Sequence, residues 1–224
     1  MTRCSIGKLV VLAGVLSIAA PALAQPAGWV KVRTSAFAMY MPSDWKKLGR
    51  EKPDPKKPWL GSWRYASPNA KHKIFVRVTP AEQGPLDKIM AAGGARLKKS
   101  VKDLKEALKP VTQKDKKGRE FLVAPMSGIL NVRDPQTKKV TAAEHTILRV
   151  LQRFPDAGIQ FFITYLSGAD RQHEILELAQ AHLAGFDPID TKEKLELAKR
   201  LTKVRKTIVK QDAAAKALSE PPKK

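Results

Sequence analysis

The residues of this 224-residue chain best suited to chemistry are its four histidines with their neighbouring carboxylates, its serines and its large excess of cations. His173-Glu174 begins like a metalloprotease helix, in which a second histidine one turn later completes a zinc pair; here that position is Glu177. His173 and Glu177, like Glu174 and Glu177, share a helix face, which is also the everyday pattern of a solvated helix surface. Ser127 precedes Gly128 without a surrounding Gly-x-Ser-x-Gly, Ser167-Gly168 sits at a helix start, and Ser100 lies in a basic stretch without a partner. Gly93-Gly94 falls inside a helical stripe and lacks the lysine spacing of a phosphate-cradling loop. His145 and Arg149, on one side of a strand, are the most site-like pair, although antiparallel strands ordinarily wet one face. With His72 and His182 isolated in the sequence, the residues predict no metal, no cofactor and no enzyme.

The start of the chain is more informative. Arg3 and Lys8 precede an apolar run over 9–20, and Pro21-Ala22-Leu23-Ala24 supplies a small-x-small site before Gln25. This is the layout of a signal peptide cleaved after Ala24, and the uncharged run is shorter than the roughly 20 residues that cross a bilayer. A periplasmic or secreted bacterial protein is expected. Cleavage lowers the formal charge from +21 to +19 and removes Cys4, the only cysteine. Cys4 precedes the apolar run, whereas a lipid-attachment cysteine follows one. Stability must then rest on a packed core rather than on disulfides, which a domain of about 150 residues permits.

Strong positive charge raises nucleic acid as a partner, but export argues against it. The remaining polyanions are acidic proteins, anionic lipid head groups and envelope polymers. Two segments concentrate the charge. The stretch 46–58, with Lys46, Lys47, Arg50, Lys56, Lys57 and three prolines, reads as an exposed loop. Beyond Asp187-Pro188-Ile189, Leu195, Leu201, Val204 and Ile208 form a narrow stripe surrounded by Lys199, Arg200, Lys203, Arg205 and Lys206, a basic amphipathic helix with a frayed tail. Trp29, Trp45, Trp59 and Trp63 lie among these cations; they either form a recognition surface or fill a core.

The intervening pattern positions these residues. Alternation over 29–33 and 36–41 predicts paired strands with Phe37, Met39 and Met41 on one face, closed by Pro42. Segments 59–66 and 72–79 read as a hairpin about Ser67-Pro68-Asn69-Ala70. Leu86, Ile89, Met90, Gly93, Leu97, Val101, Leu104 and Leu108 then predict one long helix, in which Gly93-Gly94 allows close packing on a sheet. Strands are expected at 120–123, 128–133, 140–153 and 159–166, the last apolar on both faces and therefore central. Asp170 is expected to N-cap a helix that Gly185 ends. The fold class is α+β, an antiparallel sheet with helices packed on it, followed by the basic C-terminal helix. The domains are a leader at 1–24, a globular unit at 25–187 and the basic helix and tail at 188–224.

Phe37-Ala38-Met39-Tyr40-Met41-Pro42-Ser43-Asp44-Trp45 resembles the F-x-x-x-x-P-x-x-W opening of PsbP-like and Mog-like domains, including exported DcrB-like proteins. The order of elements over 29–186 agrees. The resemblance implies a three-layer fold and an accessory, binding or assembly role without a shared catalytic centre. The resulting expectation is an exported, non-enzymatic envelope protein that engages an acidic protein or anionic envelope surface through its basic segments. An envelope hydrolase with an unlocated active site and a polyanionic-polymer-binding module are the alternatives. Intact-mass analysis of the exported protein is expected to show a chain that begins at Gln25. Finding residues 1–24 retained in a membrane-embedded form would overturn the leader assignment.

Overall fold

The computed structural model describes residues 27–51, 61–98, 101–115, 118–133 and 140–188. The leader, Lys56 and Lys57, Trp59, and the C-terminal segment with Lys199, Arg200, Lys203, Arg205 and Lys206 lie outside the described residues.

The first strands, β1 (Trp29–Arg33) and β2 (Phe37–Pro42), form the expected hairpin, with Trp29 opposite Pro42. Thr34 closes it: its hydroxyl donates to the Phe37 carbonyl and accepts from the Ala36 and Phe37 amides. A second, eight-stranded antiparallel sheet runs in the order β3-β4-β5-β10-β9-β8-β6, with β7 also paired to β8. Its strands are β3 (Lys46–Glu51), β4 (Gly61–Ala66), β5 (His72–Pro80), β6 (Lys102–Glu106), β7 (Val111–Lys114), β8 (Glu120–Arg133), β9 (Val140–Phe154) and β10 (Ile159–Gly168). Helix α1 (Leu86–Leu97) follows β5, and α2 (Gln172–Ala184) follows β10.

Strand β10 lies between β5 and β9, as its apolar composition required. Its odd-numbered residues, Ile159, Phe161, Ile163 and Tyr165, face the small sheet and α2. There Phe161 meets Phe37, Phe154 and Phe186 edge to face at centroid distances of 6.1, 5.4 and 4.9 Å. Such pairs add about 0.5–1.5 kcal/mol each beyond area burial. The even-numbered residues face α1, whose Leu86, Ile89 and Met90 pack on Leu122, Leu151 and Phe162. The molecule therefore has three layers: α1, the large sheet, and the small sheet with α2.

Several expectations require correction. The helix ends at Leu97 rather than continuing to Leu108, because Lys102–Glu106 pairs with β8. A register shift between Lys102 and Lys105, with Asp103 at φ 49°, lets Val101 and Leu104 pack into one cluster and so mimic a helical period. The stretch beginning at Lys46 is the edge strand β3, not a loop, as far as Glu51. Strand β8 is continuous for 14 residues: its outer edge pairs with β7 through Val123 and with β6 from Met126, and Pro125 falls between the two ladders. Asp170 lies in a 3-10 turn, and Arg171, without a side-chain cap, stands at the α2 N-cap. Asp187–Pro188 forms a short strand, β11, that pairs with β2.

Gly185 ends α2 as anticipated, and its value is space. A Cβ there would collide with the Tyr40 ring of β2. Gly185→Ala is therefore expected to lower stability by about 1–3 kcal/mol, the usual range for overpacking. Urea unfolding should show a lower midpoint with an unchanged m-value; an unchanged midpoint would mean that the ring moves aside freely.

Candidate functional site

Of the ten cations expected to bind, the described residues place three on one strand. Lys46, Lys47 and Arg50 pair through the backbone with Ala66, Tyr65 and Trp63 of β4, on the strand that ends the sheet among the described residues. Lys46 and Lys47 are exposed, as is Leu48 at 56%. A register irregularity between Lys47 and Gly49 breaks the regular ladder. The described tryptophans do not join them in a surface: Trp63 is buried in the core, and Trp29 and Trp45 are half-buried against His182.

His145 and Arg149 are not brought together. Four residues of extended strand separate them, about 13 Å. His145 Nδ1–H donates to the Ala143 carbonyl at 2.9 Å. Arg149 instead lies beneath α1, only 6% exposed, and its Nη1 donates to the Met90 carbonyl at 3.2 Å. Burial, and secondarily the like charge of Arg77, holds its guanidinium down at about 10, so it remains charged at neutral pH. Gly93 and Gly94 make the room: a Cβ on Gly93 would stand 2.8 Å from Arg149 Nη2, and one on Gly94 would stand 3.3 Å from Nη1. The glycine pair thus permits close packing, against a charged side chain as well as the sheet.

The structure assembles one hydrogen-bonded relay that the sequence did not reveal. Ser167, His72 and Glu174 come from β10, β5 and α2. His72 Nε2 lies 2.7 Å from Glu174 Oε2, and its Nδ1 lies 3.0 Å from Ser167 Oγ. With Glu174 ionised, Nε2 carries the proton and Nδ1 accepts from the Ser167 hydroxyl. Desolvation opposes ionisation of Glu174, but the His72 hydrogen bond and Arg171 outweigh it and hold the carboxyl below its ordinary value. The chemistry of an activated nucleophile also requires access, and Ser167 is 0% exposed. As built, the relay ties the start of β5 to α2. Trp45 covers it, stacked on His72 at 6.4 Å and 8°.

Below this lies His182, fully enclosed, with Tyr165 stacked at 5.7 Å and Trp29 edge-on at 5.2 Å. Neither ring nitrogen finds a hydrogen-bond partner, and burial pushes the imidazole down to about 3. His173 and Glu177 do pair, at 3.4 Å, but on an open helix surface with side chains 85% and 70% exposed. Among the described residues no three potential ligands gather for a metal.

No protein-family model matches the sequence, and no curated protein matches it. Solved structures do. A Mog1 point mutant superimposes with a TM-score of 0.51 at 15% identity, covering 74% of this chain and 97% of that one. The Ran-binding protein Mog1p of Saccharomyces cerevisiae gives 0.50 at 13%, covering 73% and 95%. Cyanobacterial PsbP (CyanoP) from Synechocystis sp. PCC 6803 gives 0.49 at 9%, covering 71% and 91%. The fold is PsbP/Mog-like. The resemblance carried by the Phe37 to Trp45 segment is thereby upheld at the level of architecture.

His182 gives the core an acid-labile point. The folded state holds this ring neutral to about pH 3, whereas the unfolded chain binds a proton near the ordinary value of 6.5. Stability is thus fully present above about pH 6.5 and is lost as the pH falls toward 3. Between pH 7 and pH 5 the loss is about 2 kcal/mol. His182→Phe, which keeps the ring packing and removes two orphaned nitrogens, is expected to flatten that slope without destabilising the protein at pH 7. Denaturation midpoints that fall equally with pH in both proteins would rule His182 out as the cause.

Proposed function

We propose that this is an exported, non-enzymatic binding or accessory protein of the bacterial envelope, which engages an acidic protein or an anionic envelope surface through basic segments. The observation that carries the reading is the edge of the large sheet, where Lys46 and Lys47 stand exposed beside Leu48 on the outermost strand. A sheet edge offers unpaired backbone groups, and lysines there repel further copies of a cationic chain while attracting an acidic partner. The excess of 42 lysines and arginines over 21 acidic residues extends the same preference over the molecule. Likeness to Mog1p, itself a Ran-binding protein, supports a binding role in general and leaves the partner to be identified by its charge.

The hydrolase alternative has the Ser167–His72–Glu174 relay in its favour. The enclosure of Ser167 weighs against it, because a hydroxyl with no exposed surface is closed to a substrate carbonyl. The C-terminal basic helix enters as the second proposed contact segment, with Lys199, Arg200, Lys203, Arg205 and Lys206.

The test compares the exported protein with a Lys46→Glu/Lys47→Glu variant, in capture from envelope extract and in sedimentation with anionic and neutral vesicles. Binding of the wild type is expected to weaken steeply with salt, and the variant to bind about tenfold less, since each basic residue contributes about 1 kcal/mol at best. Binding that ignores both salt and the two substitutions would overturn the role of the edge. Loss only on truncation after Pro188 would transfer it to the C-terminal segment.

A further inference from the structure

Among the described residues, α1 covers only part of the face of the large sheet on which it packs. Between the helix and strands β5, β10 and β9 lies a cavity of about 430 Å³. Its sheet wall carries Phe75, Arg77 and Thr79 from β5, Phe162, Thr164 and Leu166 from β10, and Arg149 from β9. Register places Phe75, Thr164 and Arg149 in one row across three strands, and Arg77 beside Phe162 in the next. Ile89, Ala92, Gly93 and Leu97 of α1 form the roof, and Val101 and Leu130 complete the lining at one end.

Two cations line this cavity, and one of them is deeply buried. Arg149 is more than nine-tenths buried, and among the described residues no carboxylate pairs with it; its hydrogen bond goes to a neutral carbonyl. A buried cation without a counter-ion is costly unless something else compensates it. Arg77 lines the same space and adds a second like charge felt by Arg149. The acidic residue in the lining, Glu82, is exposed, and its backbone amide is already bonded to Gln160 Oε1. The remaining wall is mostly aliphatic and aromatic. Gly93 and Gly94 keep the roof clear of Cβ atoms where the guanidinium lies.

We infer that this cavity binds a single-chain amphiphile with an anionic head, a carboxylate or a phosphate, which Arg77 and Arg149 hold while the tail lies against Phe162, Leu97, Val101, Leu130 and Leu166. The planar guanidinium forks suit either oxyanion. A volume of this size lies within the range of sites that enclose small organic ligands. The site is separate from the basic edge at β3 and stands or falls independently of it.

Calorimetric titration of the exported protein with dodecanoate, dodecyl phosphate, dodecyl maltoside and inorganic phosphate tests the assignment, all below the micellar range. One or both anionic amphiphiles are expected to bind at one site per chain, and the tighter of the two identifies the head group. Arg77→Gln should weaken that binding at least tenfold, about 1.4 kcal/mol. Ala92→Trp, at an exposed position of α1, should block the tail and abolish it. Neither substitution lies in the buried core, so both variants keep the question open to refutation if Arg149→Met fails to fold. Equal affinity for the maltoside, equal affinity for inorganic phosphate, unchanged binding in both variants, or no binding at all would each overturn the proposal.

Discussion

Strand β10 and the second half of β9, from Ile147 to Phe154, are buried or half-buried on both faces, and an antiparallel sheet with such a centre has to be covered twice. The remaining architecture follows from that requirement. Ile163, Tyr165, Leu148 and Val150 need a cover on one side, which the β1–β2–β11 sheet and α2 provide. Leu151 and Ile147 need one on the other, which α1 and the turn into β6 provide. Phe37, Phe161 and Phe186 interlock the layers at the most enclosed point. Because α1 is only 12 residues long, it cannot span the whole second face, and a cavity remains beside it.

The two covers differ in how they treat buried polar groups. On the first side His182 is enclosed by Trp29, Trp45 and Tyr165, and burial keeps it neutral. On the second side Arg149 is enclosed by α1 and stays charged, because a guanidinium starts from so high an ordinary value that burial does not remove its proton. Desolvation therefore produces an uncharged ring in one layer and, in the other, a cation with which no carboxylate among the described residues pairs. The first behaves as core packing; the second creates a demand for an anion.

The charge of the chain also divides by location. Arg119 is absorbed by structure: it pairs with Asp115 at 2.6 Å, and its guanidinium lies 4.7 Å from the Phe154 ring, closing the β7–β8 turn. Arg153 reaches the Gly84 carbonyl and fastens the approach to α1. Lys46 and Lys47 have no such duty in their exposed positions on β3, which is why the edge rather than the total charge defines the proposed contact surface.

Local pattern alone determined the β1–β2 and β4–β5 hairpins, the double-sided burial of β10, the start of α1 and the end of α2, because alternation, helical spacing and turn residues are read within a few positions. The phenylalanine-to-tryptophan opening and the order of elements together pointed to the architecture. Only tertiary structure decided that Leu97 ends the helix, since the partner that draws Lys102–Glu106 into a ladder is the distant β8. It also decided that 46–51 is an edge strand, and that Arg149 faces a cavity with Arg77 rather than His145. The Ser167–His72–Glu174 relay joins residues 95 and 102 positions apart, a separation that no spacing rule can bridge. Which strand neighbours which, and in what register, depends on how whole faces are buried, and that balance exists only once the sheet has formed.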